Sequence, residues 1–375
     1  MENLRSSDTN WYEIENAAEV SSPSLLVYPD RIESNIRQMI KIAGDVNRLR
    51  PHVKTHKMAE VVGLQLDAGI TKFKCATISE AEMLARCGAK DILLALQPVG
   101  PNIGRFFRLR HEFPEAKISC IVDSEEVIIQ LSGISQRTGR ATNVWIDINN
   151  GMNRSGISPG EKAVQLAKKI IKMPELNLKG LHLYDGHILD KDFKLRKETC
   201  EENYRQVNSL LEHLEKEGIT QLNIVAGGTS TFPVHARRKG IECSPGTPVL
   251  WDYGYSSSFP DMDFKHAAIL FTRIISKPAK NLICLDLGHK AVASEMPQPR
   301  VIIPGLKNYS IMTHSEEHMV VETSEAESLK VGAVFYCLPW HICPTVDRYD
   351  SVPVVRDGRV VDTWDVVARK RVNTI

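Results

Sequence analysis

Short β-branched runs, each closed by polar residues or glycine, recur along the first two thirds of the chain. Eight of them lie between residue 49 and about residue 245: "RLRPHVK", "KFKCAT", "DILLALQ", "KISCIVD", "NVWIDINN", "LKGLHLYDG", "LNIVAGG" and "IECSPG". Each has the length and composition of a buried strand. Between most of them the apolar period lengthens to that of a helix. In "RIESNIRQMIKIA" residues Ile32, Ile36, Met39, Ile40 and Ala43 share one face. "DSEEVIIQL" offers Asp123 as an N-cap with Glu126 three residues on. "CEENYRQVNSLLEHLEKEG" reads as a long amphipathic helix. "DAGITKF", "RCGAKDI", "KEGITQL" and "RKGIECS" place glycine between helix and strand, where it can take the left-handed conformation that ends a helix. Such alternation predicts a parallel sheet with right-handed crossovers. Eight units close a (β/α)8 barrel over residues 25–265 better than they fill a doubly wound sheet, because polar punctuation follows all eight strands.

The texture changes after about residue 265. "AAILFTRIIS", "NLICLDLGH", "HMVVET", "AVFYCLPW" and "VPVVRDGRVVDTWDV" are strand-like, with little helix between them. Asp-Gly within the last of these suits a type I′ hairpin turn. A smaller, mainly-β domain is therefore expected over residues 266–375, joined by residues 1–24.

Composition narrows the function. The 375 residues carry a net charge of +1, so no general attraction to nucleic acid or a membrane surface is expected. No apolar span is long enough for a membrane helix. The polar start, "MENLRSSDTNWYEIEN", lacks the pattern of a secretory leader. The eight cysteines are scattered without paired spacing, as reduced thiols in a cytoplasmic protein would be.

In a barrel the active site gathers at the C-terminal ends of the strands. Lys54 and His56, Thr77, Gln97, Asp123, Asn149 with Asn150 and Arg154, Tyr184 with Asp185 and His187, Gly227 with Gly228 and Thr229, and Ser244 with Gly246 fall there in strand order. The ring is polar, cationic and rich in glycine, suited to a small anionic cofactor. "AGGTST" can offer successive backbone N–H groups to a phosphate as it feeds a helix start, although a Gly-Gly turn is more often only a tight loop. "RPHVKTHK" concentrates Arg50, His52, Lys54, His56 and Lys57 in eight residues. Lys54, desolvated beside those cations, would lose its proton and form a Schiff base with an aldehyde; a solvated basic loop is the plainer alternative. In "LPWHICPT", His341 and Cys343 alternate along an expected strand and so face one way. An imidazole and a thiolate suit zinc and leave coordination positions open; a buried cysteine beside a satisfied histidine is the alternative.

"RPHVKTHK", "CATISEAEMLARCG", "LLALQPVG", "WIDINNGMNRSGI", "LHLYDGH", "VAGGTST" and "HICPTV" occur in the order seen in the D-threonine aldolase and D-serine dehydratase family of alanine-racemase-like pyridoxal phosphate enzymes. The chain resembles that family over roughly residues 20 to 365. The resemblance implies that Lys54 holds pyridoxal 5′-phosphate, that Gly227, Gly228 and Thr229 bind its phosphate, and that Arg154 and Gln97 stand beside its phenolic oxygen. Tyr184 would line the ring and substrate space as a catalytic-site residue. His341 and Cys343 would bind the metal, and a homodimer would be the active unit. Cys343 stands where the family's aldolases usually carry aspartate, which favours a harder ion such as manganese; cysteine there resembles the zinc-dependent dehydratases. Trp251 replaces an expected tyrosine, and His52, His56, His187 and His289 receive no role.

The resemblance implies a lyase acting on a small D-3-hydroxy amino acid. β-Elimination from D-serine, giving a keto acid and ammonia, is the first expectation. Retro-aldol cleavage to glycine and an aldehyde is the second. A racemase, or a non-catalytic pyridoxal phosphate carrier, is more remote; the carrier lacks a β domain and has no use for zinc.

Overall fold

A computed structural model describes residues 11–371; the first ten residues, which hold most of the start read for a leader, and the last four lie outside the described residues. The described chain forms two compact units. Residues 36–248 and 367–371 make one, residues 11–35 and 249–366 the other. Strand β1 (Ser24–Val27) and helix α1 (Pro29–Ala43) come first. Ile32, Ile36, Met39 and Ala43 of α1 are buried, as their spacing predicts.

The first unit is built on a parallel sheet of seven strands, paired in chain order: β2 (Lys72–Cys75), β3 (Asp91–Leu94), β4 (Lys117–Val122), β5 (Thr142–Ile148), β6 (Leu176–Leu183), β7 (Asn223–Ala226) and β8 (Ile241–Cys243). Helices cover the crossovers. The expected first strand is not regular. Residues 49–52 fill its place through isolated bridges, Leu49 to Cys243 on one edge and His52 to Lys74 on the other. Pro51 has no N–H to give a ladder, and the chain turns at once into a 3₁₀ segment, Val53–Thr55. The barrel is therefore the expected one, with seven regular strands curled into a sheet and the irregular segment 49–52 in the eighth place.

Inward positions alternate between apolar and charged layers. Leu93, Ile121, Trp145 and Val225 pack as one cluster. At one end of the strands Arg50, 1% exposed, binds Asp91 and Glu242, each at 2.7 Å. A buried guanidinium is tolerable only with such partners. Gly69, Gly88 and Gly218, with φ of +90°, +85° and +77°, are the left-handed helix ends expected of them; Gly240, left-handed at φ +73°, stands instead in a turn beyond the helix Phe232–His235 and its cap Ala236. The cap of helix Glu125–Thr138 is Ser124, which accepts from the Val127 N–H, and not Asp123. Asp123 instead accepts from the Gly156 N–H at 2.9 Å.

The second unit holds a nine-stranded sheet. Strands β9 (Ala268–Ala279), β10 (Leu282–Leu285), β11 (Val301–Ile302), β12 (Tyr309–His314), β13 (Met319–Thr323), β14 (Val334–Pro339), β15 (Ser351–Arg356) and β16 (Arg359–Asp365) follow β1. The main order is β12-β13-β10-β9-β1-β15-β16, with β14 pairing both β9 and β11. β15 and β16 form the expected hairpin, with Asp357 at φ 48° and Gly358 at φ 71°, both left-handed as a type I′ turn requires. Leu26, Ile269, Phe271, Leu338 and Val355 form its core. No described helix is long and apolar enough to cross a membrane.

Candidate active site

The basic cluster "RPHVKTHK" is mostly structural. His52 Nδ1 accepts the Lys54 N–H, and His56 Nδ1 accepts the Met58 N–H, each at 3.2 Å. Burial pushes both imidazoles down, His56 to about 3, so neither carries charge near neutrality. Lys57 is buried against Glu80 at 2.8 Å, and Arg50 is spent on its two acids. These four were expected to supply the cations around Lys54. They do not, because two are neutral and two are neutralised.

The cation nearby is one the sequence did not single out. Lys74, on β2, is 1% exposed. Burial first, and then the charge of Lys54, lower its pKa to about 7. Its Nζ is 3.5 Å from His182 Nε2, and His182 Nδ1 is 2.7 Å from Asp147 Oδ1. Ser155 donates to the other Asp147 oxygen at 3.0 Å. An acid, an imidazole and an amine thus form a buried row across β5, β6 and β2.

Tyr184, just beyond β6, is where the expected residues meet. Lys54 Nζ is 5.9 Å from its ring centroid, Lys74 Nζ 5.7 Å, and Arg154 Cζ 4.7 Å. Three cations around one half-buried phenol ring make a site that favours an anion. No carboxylate pairs with Lys54 Nζ among the described residues, so its amine is available for chemistry. Gln97 is partly engaged, its Oε1 accepting the Asp123 N–H at 2.8 Å.

The glycine turn after β7 works differently from the expectation. Gly227 N–H donates to Leu183 O at 3.1 Å, and Gly228 N–H to Thr231 Oγ1 at 3.2 Å. The glycines give room instead of free donors. Gly227 has φ +86°, and a Cβ there would meet the His235 ring at 2.8 Å; a Cβ on Gly228 would stand 3.0 Å from Tyr184. The helix that follows, Phe232–His235, is a single turn, so no helix end is aimed at the turn.

His341 and Cys343 do not lie along a strand. β14 ends at Pro339, and His341 caps a short helix, Ile342–Val346, with Pro344 in its first turn. The thiol still reaches the imidazole. Burial disfavours the protonated ring, but Cys343, Asp252 and Glu295 outweigh it and raise His341 to about 9. Glu295 Oε1 sits 2.5 Å from His341 Nδ1. Buried Asp252 accepts the Ile342 and Tyr255 N–H groups at 2.9 and 2.8 Å and so fixes the start of the helix. A metal would have to displace the proton from Nε2; with the Nδ1 proton then held by the Glu295 carboxylate, Nε2 would offer its lone pair, the arrangement that metal-binding histidines commonly show. An imidazole beside a thiol thus fits a borderline-soft cation.

Among the described residues a group of three possible ligands also stands elsewhere: Asp185, Cys200 and His235, with ligand atoms within 4.8 Å of one another. Arg238 donates to His235 Nδ1 at 3.0 Å and to Cys200 Sγ at 3.7 Å. A guanidinium already fills the place of a cation there. Trp251 is a core residue of its unit, with ring centroids 5.6 Å from Tyr255 and 5.2 Å from Phe264. His187 is exposed and bonded to Asn203 at 2.9 Å. The His289 ring lies 6.5 Å from that of His314.

The chain matches known proteins along most of its length. Residues 27–247 match the family "Alanine racemase, N-terminal domain", and residues 267–355 match "Putative serine dehydratase domain". The chain is 31% identical to a D-threonine aldolase from Arthrobacter sp over 94% of its length and 93% of the relative's. It is 30% identical to a 3-hydroxy-D-aspartate aldolase from Paracoccus denitrificans (strain Pd 1222), with 94% and 93% covered. The crystal structure of D-threonine aldolase from Filomicrobium marinum superposes with a TM-score of 0.88 at 26% identity, covering 95% of this chain and 97% of that one. With a lysine, a phenol ring and a glycine turn at the strand ends of one unit and a β sheet making the other, the chain belongs to the alanine-racemase-type family of lyases that includes D-threonine aldolase and 3-hydroxy-D-aspartate aldolase.

Proposed function

We propose that the protein is a pyridoxal 5′-phosphate- and divalent-metal-dependent lyase of D-3-hydroxy amino acids, and that it catalyses β-elimination of the D-serine dehydratase type. The pair His341 and Cys343 carries this choice. A thiolate and an imidazole suit zinc, a Lewis acid strong enough to make hydroxide a tolerable leaving group. When bound, the cofactor supplies an aldehyde for the substrate amine and a ring that takes up the charge left at Cα, and the metal supplies the Lewis acid.

The chain's own residues do the rest. Lys54 would hold the aldehyde, and its amine, when free, would take the α-proton of the substrate. Tyr184 and Arg154 form the wall around the ring. The Gln97 amide, whose oxygen is engaged by Asp123, has its N–H groups left for the phenolic oxygen. Gly227 and Gly228 make room for the phosphate, and the N–H groups of Thr229 and the residue after it bind it. Loss of the α-proton and the β-hydroxyl releases water and leaves an enamine, which hydrolyses to a keto acid and ammonia. The active unit is proposed to be a homodimer, on the family resemblance.

The relatives at 30–31% identity favour a second reading, because both are aldolases. There a base takes the proton of the β-hydroxyl, the Cα–Cβ bond breaks, and glycine and an aldehyde leave. Product analysis separates the two. Purified protein loaded with pyridoxal phosphate and zinc is given D-serine and D-threonine separately, with Lys54→Ala and Cys343→Ala as controls. Keto acid without glycine, lost in both variants, supports elimination. Glycine with acetaldehyde from D-threonine replaces it with the aldolase reading.

A further inference from the structure

The trio Asp185, Cys200 and His235 invites two readings that its geometry rejects. A metal is disfavoured by Arg238, as above. A nucleophilic relay needs the acid and the thiol on opposite nitrogens of the ring. Here Asp185 Oδ2 and Cys200 Sγ both face His235 Nε2, at 2.7 and 3.5 Å.

A different connection remains. Arg238 donates to His235 Nδ1, which leaves Nε2 to carry the ring proton and donate it to Asp185. The other Asp185 oxygen accepts the Thr231 hydroxyl at 2.6 Å. With its proton so committed, Thr231 Oγ1 presents a lone pair, and the Gly228 N–H donates to it at 3.2 Å. His235 meanwhile underlies Gly227 closely enough that a Cβ would strike it at 2.8 Å. Asp185, His235 and Thr231 are each at most 1% exposed. The two hydrogen-bond arms of one carboxylate therefore end beneath the two glycines of the turn.

We infer that Asp185 is a positioning residue that sets the shape of the turn at residues 227–231 through Thr231 and His235, and so fixes affinity for the cofactor's phosphate. The inference rests on the proposed placing of the phosphate at that turn. Asp185 does not touch the phosphate; it acts on the backbone that does. An asparagine in its place has one acceptor oxygen where two donors, the hydroxyl and the imidazole N–H, need one each.

The test compares binding of pyridoxal 5′-phosphate with that of pyridoxal, which lacks the phosphate, to the cofactor-free protein, followed by the visible absorbance of the bound aldehyde. Wild type is expected to prefer the phosphorylated form. Asp185→Asn is expected to lose about ten- to a hundredfold in affinity for pyridoxal phosphate, the scale of a hydrogen bond to a charged group, and nothing in affinity for pyridoxal. Thr231→Val should repeat that loss and Thr231→Ser should restore the preference, so a folding failure of one variant leaves the others decisive. Equal loss of both ligands, or an unchanged preference in Asp185→Asn and Thr231→Val, overturns the role of Asp185 while leaving the phosphate site standing. Wild type binding both forms equally overturns the phosphate site and the inference with it.

Discussion

The Nζ of Lys74 and the Nε2 of His182 lie 3.5 Å apart inside the curled parallel sheet, both side chains almost wholly buried. An amine there is desolvated, and Lys54 repels it, so its pKa falls from 10.5 to about 7. Above both values the amine is neutral folded and unfolded and has no effect on stability. Between them the unfolded chain binds a proton that the folded one refuses, so this group destabilises the fold increasingly as pH falls, and fully below about 7. Lys74→Met is therefore expected to raise stability most below about pH 7, with the gain fading towards pH 10.5. Urea melts across that range check the slope, and a gain that does not vary with pH refutes it.

The turn at Gly227 and Gly228 should tolerate no side chain. Gly227→Ala meets a left-handed backbone, which costs about 1–2 kcal/mol, and a clash with His235. Gly228→Ala presses on Tyr184 without the backbone penalty. Both should weaken pyridoxal phosphate binding, Gly227→Ala by about tenfold or more. Equilibrium titration of the cofactor-free protein measures the difference.

Lys57 and Glu80 test whether the basic cluster holds structure. Lys57→Met leaves Glu80, which is wholly buried, without its ion-pair partner and should cost about 3–5 kcal/mol. Replacing both residues with methionine should recover much of that. Denaturant unfolding of the two variants gives the comparison, and equal losses in both would show that the pair itself is net stabilising.

The metal reading has its own readout. His341→Ala and Cys343→Ala should each lower the zinc content of purified protein, and Glu295→Gln should weaken zinc binding by about ten- to a hundredfold by removing the carboxylate on Nδ1. Pyridoxal phosphate binding should be unchanged in all three. Metal analysis of dialysed protein decides it; full zinc content in Cys343→Ala would remove Cys343 from the ligand set.

Local chemistry was readable where one residue type has one physical use. Asp357 and Gly358 take the hairpin turn that their dipeptide demands, and Gly69, Gly88 and Gly218 end helices where the pattern changes period. Lys54, Tyr184 and Arg154 meet because each follows the C-terminal end of a parallel strand or of the segment that takes a strand's place, and these ends lie at one mouth of the curled sheet. Lys74 was hidden because a lysine within a four-residue strand reads alike whether it faces water or the barrel. β12 was missed since its residues are half-buried or exposed, with no apolar face to betray it. His341 and Cys343 looked extended because they alternate, but Pro344 suits the first turn of a helix just as well. β1 pairs with residues more than two hundred positions away, which no local pattern can announce.

That last pairing bears on how the protein is made. β1, at residues 24–27, leaves a ribosome early, but its neighbours β9 and β15 do not exist until residues 268–279 and 351–356 have been added. The parallel sheet, by contrast, is complete at Cys243. Synthesis from the N-terminus therefore favours one unit folding while the other waits with its first strand unpaired. An apolar "SLLV" held open for most of translation is a natural target for a chaperone, and slowing the last third of translation should reveal it as a site of aggregation.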